Sequence, residues 1–305
     1  MASSTSQILW FLLDPWIFMA QSISHLPQTI LHLLRTHQLL ATLLHPSRLQ
    51  SAWFGTFWAT AGPGVRNTAK ARVVPLLEGA ISDGQIIDDN HPPGAAGEKH
   101  QHQHQRRGIA GTVLEVGPGT GMWVGLFSSM LGSSSPTGRR GGITRIYGVE
   151  PNAGVHAALR RSVMAAGLED VYEVVPLGVE DLAGSGRVAR GSVDCIVSVL
   201  CLCGIPDPEF NIRELYGYLR PGGRWFVYEH VGCGSDGIRE CGLFMRVYQR
   251  FVNIFWPHLI GGCQLCRDTA RILKNAGSWT KIDLAQPIGE PWYHPLPHII
   301  GTLTK

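Results

Sequence analysis

The most constraining feature of the sequence is a short apolar run that turns directly into a loop of alternating glycines. The run covers residues 112–116, and the loop after it carries Gly117, Gly119 and Gly121. A short apolar run bounded by glycine is typical of a buried strand, and glycine accepts tight turns and close backbone approach. With the helical pattern of residues 122–131, the stretch predicts a strand, a loop and a helix that together cradle a nucleoside cofactor.

The glycine spacing favours one kind of cofactor over another. It is G-x-G-x-G, and Met122 stands where a dinucleotide fingerprint has its third glycine. S-adenosylmethionine has no phosphate to seat on a helix N-terminus, so a loop that packs its backbone against an amino acid tail and a sulfonium suits it better. Glu115 within the strand is a usual companion of such a loop. An ordinary glycine-rich turn is the alternative.

Alternating strand and helix patterns follow the loop and predict a parallel, doubly wound α/β sheet with its ligand at the carboxyl ends of the strands. The expected strands are residues 143–149, 171–177, 192–200, 219–231, 281–285 and 298–304. The expected helices between them are residues 152–166, 208–219, 243–256 and 269–275.

Acidic residues at two strand ends are candidates for the nucleoside part of the cofactor. Glu150 ends the second strand, where an acid accepts hydrogen bonds from ribose hydroxyls. Its distance from the loop is longer than usual, and the polar insertion at residues 133–142 accounts for the excess. The alternative is a surface carboxylate. Glu180 and Asp181, which follow the third strand, are candidates for the adenine amino group.

Two stretches predict features outside the sheet. Residues 82–108 lose all apolar periodicity and predict a disordered insertion. The alternating histidines of this insertion lack partners at ligand spacing. Cys263 and Cys266 form a lone C-x-x-C, which we assign to loop packing near the pocket. No metal site is therefore expected. We expect N-terminal helices at residues 1–50 and a catalytic domain at residues 51–305.

The N-terminal segment is apolar and aromatic, with a break expected at Asp14 and Pro15. Residues 15–34 carry no charged side chain but are too polar for a spanning helix. Three interpretations of residues 8–44 stay open: helices in a membrane surface, a lid over the substrate pocket, or helices packed on the protein's own core.

Charge and cysteine content exclude some partners. The net charge of +3 is spread along the chain, so no nucleic acid partner is expected. Seven cysteines form no disulfide framework, and Cys195, Cys201 and Cys203 lie in or after a buried strand, which indicates reduced thiols and an intracellular location.

Taken together, residues 113–121, 150–152, 180–181, 193–203, 219–231 and 297–305 resemble a class I S-adenosylmethionine-dependent methyltransferase. Within that class, residues 199–203, 228–231 and 256–266 resemble the microsomal alkyl-thiol methyltransferase (methyltransferase-like) family. Pro118 and the two polar insertions depart from the family pattern. The resemblance implies a Rossmann-like sheet of about seven strands, mostly parallel with an antiparallel C-terminal strand, and a location at an endoplasmic reticulum or lipid-droplet surface or otherwise in the cytoplasm. The cofactor-binding residues it implies are Glu115, Gly117, Pro118, Gly119, Thr120, Gly121, Glu150, Pro151, Asn152, Glu180, Asp181, Val199 and Leu200.

The expected reaction is an in-line displacement in which a small-molecule acceptor, such as a thiol, attacks the sulfonium methyl group. Catalysis is then mostly proximity and alignment. A thiol hardly needs a base, whereas a hydroxyl gains from one, and His230 and Glu229 are the candidates. A strand-end histidine bonded to backbone is the alternative for His230. An O- or C-methyltransferase and a non-catalytic membrane-associated scaffold are rival functions, and the sequence determines neither the acceptor nor the oligomeric state.

Overall fold

The computed structural model describes residues 5–87, 107–131, 142–238 and 241–305. The strands in chain order are β1 (Ile81–Ser82), β2 (Gln85–Ile86), β3 (Gly111–Val116), β4 (Ile143–Val149), β5 (Tyr172–Val175), β6 (Val193–Val199), β7 (Leu219–His230), β8 (Lys281–Ala285) and β9 (His298–Thr304). The helices are α1 (Thr5–Ser24), α2 (Leu26–Arg35), α3 (Leu39–Leu43), α4 (Pro46–Leu77), α5 (Val124–Ser128), α6 (Ala153–Ala165), α7 (Leu182–Ser185), α8 (Pro208–Tyr218), α9 (Leu243–Leu259) and α10 (Thr269–Lys274), with a 3-10 turn at Val179–Asp181.

Seven of these strands form one sheet in the order β5-β4-β3-β6-β7-β9-β8. The pairings from β5 to β7 are parallel, and β9 runs antiparallel to both of its neighbours. The predicted fold class is therefore confirmed. The bounds predicted for β4, β8 and β9 match those observed.

Helices cover both faces of the sheet, so its central strands are apolar on both sides. Successive residues of β3 show this, because Val113 packs in one apolar cluster and Leu114 in the other, and neither side chain is exposed. The carboxyl ends of the strands remain as the place where polar side chains can reach a ligand.

Helix α1 runs through Pro15, so the predicted break at Asp14 and Pro15 is wrong. A proline inside a helix costs ~3 kcal/mol, and tertiary packing offsets that cost. Trp16 Nε1 donates to the Tyr248 hydroxyl of α9 at 3.0 Å, and Phe18 stacks on Trp256. The described helices include none with the length and apolar content that crossing a membrane requires.

The boundary predicted between residues 50 and 51 falls within α4, which continues from the N-terminal helices onto the sheet without a linker. The insertion predicted from residue 82 begins later, because β1 and β2 form a small hairpin. Asp283 of β8 holds that hairpin by accepting hydrogen bonds from the Ser82 hydroxyl and the Asp83 backbone amide. Residues 88–106 and 132–141, which contain most of both predicted insertions, lie outside the described residues.

Two cysteines are joined in a disulfide that the sequence did not predict. Cys233 follows β7 and Cys241 precedes α9, and the structure links them. The three cysteines expected as reduced thiols, Cys195, Cys201 and Cys203, do not take part in this disulfide. Cys195, Cys201, Cys203, Cys263 and Cys266 are free.

Candidate active site

A cavity of about 1000 Å³ opens at the carboxyl ends of β3, β4, β6 and β7. The strand order changes direction between β3 and β6, which is where open α/β sheets bind ligands. The loops after those two strands lie against each other at this point. The topology therefore places the glycine loop at the wall of this cavity.

The three loop glycines have positive φ angles of 64°, 57° and 86°, which side-chain-bearing residues rarely adopt. A Cβ on Gly117 would lie 2.8 Å from Cys201 Cβ, and one on Gly121 would lie 2.6 Å from Ser162 Cβ. A Cβ on Gly119 would meet only Trp58, at 3.8 Å, because this residue faces the cavity. Gly117 and Gly121 are thus required by packing within the protein, whereas Gly119 leaves backbone open to a ligand, as a cofactor cradle requires.

The same turn shortens the following helix. Gly121 N donates to Pro118 O, so residues 119–123 form turns, and α5 begins at Val124 instead of Met122. Ser162 of α6 donates to the Thr120 carbonyl at 2.7 Å and fixes the loop from outside.

Glu150 lies at the end of β4 with its carboxylate against the glycine loop. One oxygen accepts from Gly119 N and the other from Asn152 N, both at 2.8 Å. Burial raises the pKa of Glu150, and the two amide hydrogen bonds lower it. Each carboxylate oxygen has a second lone pair, and the residue lines the cavity. The two carboxylate oxygens can therefore accept hydrogen bonds from ribose hydroxyls while the backbone amides hold the carboxylate in place.

Most of the sequence-predicted cofactor residues line the cavity, and some do not. Those on the wall are Gly117, Pro118, Gly119, Glu150, Pro151, Asn152, Glu180, Val199 and Leu200. Leu200 adopts a positive φ of 55°, a strained conformation for a leucine. Its amide donates to the Tyr228 carbonyl, which holds the turn after β6 against β7.

Four predicted cofactor residues are absent from the cavity wall, namely Glu115, Thr120, Gly121 and Asp181. Glu115 is buried inside the sheet and accepts a hydrogen bond from the Tyr172 hydroxyl at 2.6 Å. Burial raises the pKa of Glu115 to about 7. The structure thus gives this carboxylate a partner in the protein, and any contribution to cofactor binding passes through β3.

Glu229 and His230 end β7 but differ in what they reach. The Glu229 carboxylate accepts from the backbone amides of Cys201 and Leu202 at 3.2 Å, and it is fully buried away from the cavity. Burial raises its pKa to about 7. Glu229 therefore positions the turn after β6 and does not reach an acceptor.

His230 lines the cavity, and its Nε2 lies 3.0 Å from Cys263 Sγ. Its Nδ1 is buried without a hydrogen-bond partner. The alternative of a histidine bonded to backbone is therefore not what the structure shows. Cys203 belongs to the same group, because one ligand-type atom from each of Cys203, His230 and Cys263 lies within 4.8 Å of the others.

Two further groups of residues lie on or beside the cavity wall, and the sequence analysis did not single out their members. Asp14, Phe18 and Gln21 of α1 line the cavity, and so does His25, which follows that helix, so the N-terminal helices form part of the cavity wall. Beyond β7, Glu290 accepts from Arg72 at 3.1 Å and contacts His298 Nδ1 at 2.7 Å. Burial lowers the pKa of the neighbouring His294 to about 4. Arg72 lies more than 200 positions before the others, so no local spacing links it to them, whereas Glu290, His294 and His298 recur at every fourth position.

Comparison with known proteins gives a consistent family. Residues 90–273 match a family described as a methyltransferase domain. The chain is 31% identical to the human thiol S-methyltransferase TMT1A over 64% of this chain and 70% of that protein. It is also 31% identical to human thiol S-methyltransferase TMT1B, over 68% and 78%. Among solved structures, an O-methyltransferase family protein from Burkholderia thailandensis matches with a TM-score of 0.49 at 12% identity, over 97% of this chain and 71% of that one. The chain belongs to the methyltransferase domain family and is an S-adenosylmethionine-dependent enzyme that methylates a small molecule.

Proposed function

We propose that the acceptor is a small apolar thiol, which is methylated on sulfur. The observation that carries this proposal is the composition of the cavity beyond the glycine loop. Its wall there is mainly apolar and aromatic, and the polar groups that lie nearest to His230 include the thiols of Cys203 and Cys263. The apolar lining residues are Phe18, Phe54, Phe57, Trp58, Trp256 and Leu296.

The chemistry of a thiol fits this wall better than that of a hydroxyl. A thiol with a pKa near 8.5 is already a few per cent thiolate at neutral pH, whereas a phenol or alcohol gains from a positioned base. Glu229 is occupied by two backbone amides and His230 Nε2 by Cys263. The two human relatives, which are thiol S-methyltransferases, support the same choice.

The protein's own contribution is to bind, align and exclude water. Bound S-adenosylmethionine supplies a methyl group on a sulfonium. Gly119 and Glu150 would hold the nucleoside end, Glu180 would meet the adenine, and Leu200 would line the cavity beside them. Helix α1 closes the cavity from outside. Alignment of this kind accounts for a large part of the barrier reduction in two-substrate transfers.

A matched pair of acceptors tests the proposal. Thiophenol and phenol have nearly the same shape, so the cavity should admit both, and we expect methyl transfer from labelled cofactor to thiophenol at a rate at least tenfold higher. Methylation of phenol without methylation of the thiol would establish an O-methyltransferase. Cofactor binding by calorimetry with no product from either acceptor would establish the non-catalytic scaffold.

The same chain carries an apolar outer surface on α1 and α9, and we assign it to a membrane surface. The two helices touch, because Trp16 contacts Phe251 and Phe255. Their exposed side chains follow helical spacing on each helix. The exposed apolar residues are Leu9, Trp10, Leu13 and Ile17 on α1 and Leu243, Phe244, Val247, Phe251, Ile254 and Phe255 on α9. A patch of this size marks an interaction site, and Arg246 and Arg250 beside it suit anionic headgroups.

Vesicle flotation tests this surface. The full chain should float with anionic phospholipid vesicles and stay bound in high salt, since apolar burial is insensitive to screening. Trp10→Ser with Phe251→Ser should reduce the bound fraction severalfold. Phe210→Ser, which removes an equally exposed aromatic from α8, is the matched control. Equal flotation of both variants would show that the lipid contacts another surface.

A further inference from the structure

Three metal-ligand side chains converge on the cavity from separate parts of the chain. Cys203 lies in the turn after β6, His230 ends β7, and Cys263 lies in the loop after α9. One ligand atom from each lies within 4.8 Å of the other two, and the three side chains are buried from bulk solvent. All three line the cavity that holds the proposed acceptor. Positions so far apart in sequence give no ligand spacing, which is why no metal site was expected.

The donor set is that of zinc. Two sulfurs and one imidazole nitrogen match the ligands of catalytic zinc sites that keep a fourth position open. With zinc–sulfur and zinc–nitrogen distances of about 2.3 and 2.05 Å, a tetrahedral site separates sulfur from nitrogen by roughly 3.6 Å. The contact between His230 Nε2 and Cys263 Sγ is 3.0 Å. A shift of about half an ångström therefore accommodates the metal, within the range of side-chain rotation.

Two donor side chains lie beside the sulfurs of the cluster. Trp256 Nε1 donates a hydrogen bond to Cys263 Sγ at 3.2 Å, and such outer contacts fix and tune metal ligands. The guanidinium of Arg267 interacts electrostatically with Cys203 and Cys263 while its Nη1 donates to the Leu202 carbonyl at 2.5 Å. Zn²⁺ with two thiolates is neutral, and the positive charge of Arg267 offsets one further anion.

We propose that Cys203, His230 and Cys263 bind a zinc ion whose fourth position faces the cavity and takes the sulfur of the acceptor thiol. The identity of this fourth ligand rests on the proposed function, whereas the metal site itself does not. His230 then acts as a ligand through Nε2 and not as a free base.

The step balances without a further reactant. The acceptor thiol releases its proton to water when its sulfur binds zinc, which lowers the pKa of a coordinated thiol. A lone pair of that thiolate sulfur forms the new sulfur–carbon bond, and the bond between the methyl carbon and the sulfonium breaks with its electron pair going to the departing sulfur. Thiolate and sulfonium thereby become two neutral thioethers, and the thioether product binds zinc weakly and leaves.

A second group of ligand residues, two of which line the same cavity, is a poorer metal site. Glu290, His294 and His298 also lie within reach of one another. Arg72 already pairs with the Glu290 carboxylate at 3.1 Å, and His298 contacts the same oxygen. A cation there would compete with an existing ion pair, so the zinc is assigned to the cysteine cluster.

Metal content of the full chain tests the proposal. Protein loaded with zinc and then dialysed should retain about one zinc per chain, and cobalt in its place should give the sulfur-to-cobalt absorption of a thiolate site. Cys203→Ser and Cys263→Ser, each made separately in case one fails to fold, should lose at least tenfold in retained metal. Cys266→Ser is the matched control, because this exposed cysteine is the C-x-x-C neighbour of Cys263 and lies outside the cluster.

The outcomes separate the metal site from the function. The whole proposal is supported if zinc retention depends on Cys203 and Cys263 and if the variants keep their cofactor affinity. Their rate of thiol methylation should then be about a hundredfold lower than that of the wild type. Retained zinc with methylation of phenol alone would keep the site and overturn the thiol as its ligand. Wild-type protein that retains no zinc, or equal loss in Cys203→Ser and Cys266→Ser, would overturn the site whatever the acceptor.

Discussion

Replacing Glu150 by alanine removes the side chain on which the proposed nucleoside site depends. Its carboxylate accepts from Gly119 N and Asn152 N at 2.8 Å and is 6% exposed, so the variant leaves two amide donors without that partner. Loss of a charge-assisted hydrogen bond to the ribose costs about 1–3 kcal/mol, which is about a 5- to 150-fold loss of affinity for S-adenosylmethionine. Burial opposes the charge, so the loss of folding stability should be smaller than two orphaned amides imply, about 1–2 kcal/mol.

Calorimetric titration with S-adenosylmethionine measures the first effect, and thermal melting without ligand measures the second. Glu150→Gln keeps one acceptor oxygen and should fall between the wild type and Glu150→Ala. Glu169→Ala, which removes an exposed carboxylate, is the control for net charge. Unchanged affinity in Glu150→Ala, with a folded protein, would refute the assignment of this residue to the ribose.

Further predictions concern the loop, the sheet interior and the lid. Gly119→Ala should lower the free energy of unfolding by about 1 kcal/mol because residue 119 has a positive φ. Gly119→Val should also lower cofactor affinity at least tenfold because its methyl groups enter the cavity. Normal cofactor binding by the valine variant would place the cradle elsewhere. Glu115 has its pKa raised from 4.5 to about 7, so its stabilising effect is full below pH 4.5 and is lost as pH rises through 7, up to roughly 3 kcal/mol. The melting temperature of Glu115→Gln should therefore fall less than that of the wild type between pH 5 and 8. Equal slopes of melting temperature against pH for the two proteins would contradict that pKa. Phe18→Ala should raise KM for the acceptor several-fold with cofactor affinity unchanged, because this α1 side chain lines the cavity and stacks on Trp256; unchanged KM would show that α1 is no lid.

Helices and strands were predictable where the local sequence pattern and the tertiary packing favour the same structure. Strands β4, β8 and β9 appear with their predicted bounds, because apolar runs bounded by glycine and proline have few other ways to bury their side chains. Pro15 predicts a break in the helix because a proline normally ends one. The packing of Trp16 and Phe18 on α9 outweighs that local preference. The disulfide between Cys233 and Cys241 was not predicted because sequence spacing does not reveal which cysteines pair with each other.

The sequence by itself pointed to the residues of the proposed nucleoside end of the site. The glycine spacing and the strand-end position of Glu150 are local features, since a loop conformation and a strand terminus depend on neighbouring residues. The acceptor end was decided by tertiary structure alone. Cys203, His230 and Cys263 come together because β6, β7 and the loop after α9 end at one edge of the sheet, and α1, from the far N-terminal part of the chain, lines the same cavity. Contacts between residues so distant in the chain depend on how the elements pack, and no spacing within a single stretch encodes them.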